Sequence, residues 1–232
     1  MSSLSELQEK LLAWATSDAR KEELLAARRD WFDRHGEPHE EDKSFETRMN
    51  GMLDHYLYDF RPTGSNETTV EIFMREMGPQ LTTDDLAIYR VLAKSVHGLF
   101  EVKKIKKGEV RLRDVFTDVV YDVTERRQML GLEKGDILEA RLLPHEGRLF
   151  FSGAFLYHPQ EVRKLILSEV KRQRKEASKG GPTIDVPSFV ASLSRMALKL
   201  ERYRNVKVES LYDFRPESRP LATPPPRPRN EE

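Results

Sequence analysis

GLFEVKKIKKGEVRLRDV, residues 98–115, is where the chain changes its period. Before it, apolar side chains recur every three or four positions. Within it they alternate, with Phe100, Val102 and Ile105 on one run, a Lys107-Gly108 turn, and Val110 and Leu112 on the next. Alternation over a few residues marks a half-buried strand, so a hairpin is predicted here. Beyond it, Val119–Val123 reads as a third strand. Gly135-Asp136 opens a fourth at Ile137–Leu143, and the PHEG turn at 144–147 opens a fifth at Arg148–Tyr157. Five short strands with tight turns in about 60 residues predict a small antiparallel β-barrel. Thr124–Leu132 is expected to be a connecting turn of helix.

The segment before the barrel is helical in pattern. Leu4, Leu7, Leu11 and Trp14 share one face, and Ser17 or Asp18 caps a second helix that carries Leu24, Leu25, Trp31 and Phe32 and stops at Gly36. After a polar loop at 35–43, a third helix places Phe45, Met49, Met52, Leu53 and Tyr56 on one face. Pro62 bars helical geometry at Arg61 and ends it. Short helices are predicted at Thr69–Met77 and Asp84–His97, the latter capped by Thr82 or Thr83. On the other side of the barrel, Pro159 opens a helix to about Ala177. The segment 178–182 is a linker, and Pro187–Arg204 is a last helix. The proline-rich tail is expected to be disordered. The predicted fold is α+β, with a helical region at 1–97, the barrel at 98–158, a C-terminal helical arm at 159–216 and the tail at 217–232.

Composition narrows the function. Hydrophobic residues make up 38% of the 232 and charged residues 34%, and there is no cysteine. Disulfides, thiolate metal sites and cysteine nucleophiles are thereby excluded. No apolar run approaches the ~20 residues of a membrane span, and the N-terminus lacks a secretory pattern, so a cytoplasmic protein with no membrane partner is expected. The net charge is zero but unevenly spread: residues 1–100 carry a balance of −7 and residues 101–232 one of +7. Either the halves face each other or the basic half meets an acidic partner.

The order of these features resembles an uncharacterised bacterial family. Its members have helical N-terminal regions with an aromatic-Asp-Phe motif, here YLYDFRP, followed by a small β segment, here LFEVKKIKKGEVRLRDV and then GDILEARLLPHEGRLFFSGAF. The resemblance covers roughly residues 45–160. It implies a fold and no established activity, so it transfers no functional residue.

His35 and His39 with Glu37, Glu40 and Glu41 are the nearest approach to a metal set, but Gly36 and Pro38 break the helix that would bring both rings to one face. Asp114, Asp118 and Asp122 read as turn residues and partners for Arg111 and Arg113. Ser152 lacks the glycine that precedes a nucleophile in G-x-S-x-G and falls in a strand. No glycine pattern cradles phosphate. The chain is therefore read as non-enzymatic, with no metal and no cofactor.

Two signals remain. The hexamer LYDFRP occurs at Leu57–Pro62 and again at Leu211–Pro216, each after a helical R-M-x-x-x-L-[DE]-[HR]-Y stretch. Aromatic residues and arginine anchor interfaces, so Tyr58, Phe60, Arg61, Tyr212, Asp213, Phe214 and Arg215 are expected to contact a protein partner, either another protein or a second copy of the chain. The first copy also reads as a helix-terminating core motif with Leu57 and Phe60 inward. The favoured function is a non-catalytic adaptor or inhibitor. The alternative is nucleic-acid binding through Lys103, Lys104, Lys106, Lys107, Arg111 and Arg113 on the barrel and Lys171, Arg172, Arg174 and Lys175 on the helix after it.

Overall fold

A computed structural model describes residues 3–125, 131–203 and 206–214. Helices α1 (Leu4–Ala15), α2 (Lys21–His35), α3 (Phe45–Tyr58), α4 (Thr69–Met77) and α5 (Thr83–Leu92) precede the barrel. Their boundaries follow local chemistry. Ser3 caps α1 and Thr68 caps α4, each in a reciprocal box with a glutamate three residues on. Gly36 stops α2 at φ +84°, where a side chain is strained. Leu7, Leu11, Tyr56, Leu57, Val70, Phe73, Tyr89 and Leu92 bury one another, and the Tyr89 hydroxyl donates to the Leu7 carbonyl at 2.8 Å.

The barrel consists of β1 (Val96–Lys106), β2 (Glu109–Asp114), β3 (Val120–Thr124), β4 (Ile137–His145) and β5 (Arg148–His158). It closes in the order β1-β2-β3-β5-β4. Four of its pairings are antiparallel and one, β3 with β5, is parallel, joined at Val123–Leu149 and Thr124–Phe150. The expectation of a purely antiparallel barrel is corrected on this point. Strand direction cannot alternate around a closed ring with an odd number of strands, so five strands force at least one parallel pair. A closed five-stranded barrel of this strand order has the Greek-key arrangement of OB folds. Its interior is filled by Phe100, Val102, Val110, Leu112, Val123, Leu138, Ala140 and Leu142.

Two boundaries also move. The helix predicted to reach His97 ends at Leu92, and β1 begins at Val96, with His97 paired to Arg141 of β4. Most of the expected connecting helix at Thr124–Leu132, with Arg215 and the tail at 217–232, lies outside the described residues.

After the barrel come α6 (Arg163–Ser178), α7 (Val186–Arg202) and α8 (Val208–Leu211), the last a single turn that the sequence pattern did not reveal. Val162, Ile166 and Val170 of the α6 region and Phe189, Val190 and Leu193 of α7 close over Leu99, Val115 and Ile137 of the barrel side. Strand β4 is consequently covered on both faces. Leu138, Ala140 and Leu142 point into the barrel, while Ile137 and Leu143 are packed in two different helical clusters.

Candidate functional site

Between Ile137 and Leu143 on the covered face of β4 stand Glu139 and Arg141, both buried. A charged residue is held in such a place only by partners. Arg141 donates to the Ser95 hydroxyl at 2.9 Å and pairs with Asp59 of the first LYDFRP copy; its guanidinium also lies 5.3 Å from the Tyr58 ring centre. Asp59 in turn faces His55, whose Nε2 is 2.9 Å from Asp30 on α2. Burial works against the charge of Asp59, but His55 and Arg141 outweigh it and hold the carboxyl down at about 2.

Glu139 lies 3.1 Å from His97 Nε2. Burial again opposes its charge, and the His97 hydrogen bond with the nearby imidazoles keeps it below the ordinary glutamate value. Two of those imidazoles are held neutral by burial: His35 and His158 are both pushed down to about 4. His35 stacks on Trp31 with ring centres 3.4 Å apart. Behind this layer Arg48 of α3 reaches α7, donating to the Ser194 hydroxyl and to the Ser194 carbonyl, each at 2.9 Å. This layer was missed in the sequence. Its signal was the string Ile137-Leu-Glu-Ala-Arg-Leu-Leu143, in which both alternating faces carry apolar residues around the charges.

The two LYDFRP copies clasp this strand from opposite ends. Copy one meets Arg141 and the cluster of Leu143; copy two joins the cluster of Ile137, where the Tyr212 hydroxyl lies 3.1 Å from His158 Nδ1 and Phe214 stacks on Phe189 at 5.5 Å. Both copies bury leucine and tyrosine and leave aspartate and phenylalanine half-buried. Tyr58 and Tyr212 are therefore largely interior residues, and the inward partner of Leu57 is Tyr58 more than Phe60. The outward parts of both copies border concave surfaces. A groove of about 730 Å3 is lined by Trp31, Arg34, Asp59, Phe60 and Arg61, and one of about 540 Å3 by Arg34, Arg195, Lys199 and Asp213. Arg34 lines both.

The expected nucleic-acid residues are adjacent but largely paired. Arg111 binds Asp122 at 2.7 Å, as expected, and Arg113 binds Asp118 at 2.6 Å and Glu101 at 2.5 Å. Arg174 reaches the same Asp118 from α6 at 2.6 Å. Lys103 pairs with Glu101, Lys106 with Glu109, and Arg172 with Glu169 and Glu176. Among the described residues, Lys104, Lys107, Lys171 and Lys175 form no ion pair. Ser152 lies in β5 and is buried. His35 points inward and His39 is exposed, and no group of three or more histidine or acidic side chains among the described residues is placed to hold a metal. Nor is any described helix long and apolar enough to cross a membrane.

The family model covering residues 9–196 takes in both the helical region and the barrel. The chain belongs to DUF7986, a family of unknown function. The DUF7986 match spans the whole charged layer on β4 and the first LYDFRP copy, and the second copy lies beyond it. No curated protein and no solved structure matches the chain.

Proposed function

We propose that this protein is a non-catalytic regulator, an adaptor or inhibitor that works by holding a partner protein on the double groove around Arg34. The observation that carries this reading is that two grooves share Arg34 in their walls, one bordered by Asp59, Phe60 and Arg61 of the first LYDFRP copy and the other by Asp213 of the second. Phe60, Trp31 and the arginines supply the residue types that concentrate binding energy, on a rim of mixed charge. The buried tyrosines fix the position of that rim without touching the partner.

The test is affinity capture with the full chain and with Arg61→Glu and Lys199→Glu, which reverse charge at each groove without entering the core. Loss of a specific co-purifying protein, at unchanged melting temperature, supports the reading. A partner retained by both variants overturns it.

The strand order of the barrel favours a second reading, since OB barrels often bind nucleic-acid strands. It relies on Lys104, Lys107, Lys171 and Lys175, because the other six cations are already neutralised. A single-stranded oligonucleotide that binds at low salt, and whose affinity falls steeply with added salt, supports it over the first reading.

A further inference from the structure

Asp54 of α3, with Glu139 and Arg141 of β4, lines a cavity of about 30 Å3 beneath the helices. Three buried atoms of these residues have no hydrogen-bond partner within the chain: Asp54 Oδ2, Glu139 Oε2 and Arg141 Nε. Asp54 Oδ2 and Arg141 Nε stand 4.0 Å apart, too far for a direct hydrogen bond and within the span of one bridging molecule. No neighbouring side chain fills the space. Gly51 on the helix wall has none to offer, and a Cβ there would meet the Trp31 ring at 3.2 Å.

The donor and acceptor pattern selects the occupant. It has to donate toward two carboxyl groups and accept from a guanidinium N–H. A metal cation cannot accept from Nε–H and would sit beside two guanidinium groups, since Arg48 also lines the cavity. A halide cannot donate to the carboxyl groups. Water does both, and the space exceeds the ~10–15 Å3 that a single water needs. We propose that one ordered water is bound among Asp54, Glu139 and Arg141 and is part of the folded structure. It joins the Asp59–Arg141 arm of the charged layer to the Glu139–His97 arm, so that the layer is one hydrogen-bonded body.

Two measurements on the full chain test this. A crystal structure that resolves ordered solvent is expected to show a peak within hydrogen-bond distance of all three atoms. Water relaxation dispersion in solution is expected to count one long-lived internal water more in the natural chain than in Ala154→Val, which fills the cavity without altering a polar group. If that variant does not fold, Asp54→Leu replaces one of the three polar walls and is expected to lose the same water. The proposal fails if Asp54 closes onto Arg141 Nε with no peak between them. It also fails if the peak has the short contacts of a metal ion, or if the folded variant keeps the full water count.

Discussion

Arg141 is the residue on which the covered face of β4 depends. It is 2% exposed, and its charge faces Asp59 directly with Asp54 close by. Replacing it with methionine keeps much of the volume but leaves the half-buried Asp59 with His55 alone facing it and the Ser95 hydroxyl without its donor. A loss of about 1–3 kcal/mol is expected, read as a lower urea midpoint at unchanged slope. The imidazoles make a second residue-level prediction. His35 and His158 titrate near 4 when folded and near 6.5 when unfolded, so between those values the unfolded chain binds more protons. Stability is therefore expected to fall as the pH drops from about 6.5 toward 4. Asp59, lowered to about 2, extends that loss below its ordinary value of 3.8. Melting temperature against pH checks the direction, and His158→Gln is expected to flatten part of the upper segment. Single residues of this kind were poorly legible in sequence. Nothing local distinguishes Arg141, held by groups 82 residues away, from the paired surface arginines at 111 and 113.

At the scale of elements, the repeat was legible as a repeat and its purpose only half so. Each copy ends a helical turn and drives a Leu-Tyr pair inward, and the identical burial of the two copies shows that one local device is used twice. The second copy was expected to contact a protein partner, either another protein or a second copy of the chain. Its docking site, built by His158, Phe189 and Ile137, is assembled from three distant stretches that no local pattern joins. Tyr212→Phe removes the hydroxyl beside His158 and leaves a buried imidazole with no partner at either nitrogen. It is expected to cost about 1–3 kcal/mol in chemical unfolding. Tyr212→Ala, which also empties ring volume, is expected to cost about 3–5 kcal/mol and to expose the apolar face to a hydrophobic dye. Strands were read well because their period differs from that of helices. The junction of α5 and β1 was not, since Leu92 and Val96, four residues apart, continue a helical spacing across the break.

For the whole molecule, opposite charges meet across the two halves, a basic residue of the second on an acidic one of the first in two pairs and the reverse in a third. Arg141 meets Asp59, Arg202 meets Asp42 at 2.7 Å, and Arg48 approaches Glu201 at 3.8 Å. Because these pairs are largely shielded from solvent, raising salt from about 0.05 to 0.5 M is expected to move the melting temperature by only a few degrees. A large drop would show that exposed attraction holds the halves together. The five-strand count was legible, and with closure it implied the parallel pair as a matter of geometry. Closure itself depended on β3 meeting β5 across an intervening strand, which is invisible along the sequence.

Clasping β4 from both ends also imposes an order on the nascent chain. The first Leu-Tyr pair leaves the ribosome more than 80 residues before its arginine, with its apolar neighbours Leu7, Leu11, Phe73 and Tyr89 of the helical region close to it in the chain. The second is among the last described residues to emerge, and it arrives on a barrel whose strands are already out. Domains fold vectorially during synthesis at several residues per second, so the Ile137 end of the strand stays bare for seconds after the Leu143 end can be capped. During that interval the growing chain presents one defined apolar face, and the arrival of the second Leu-Tyr pair is the event that covers it.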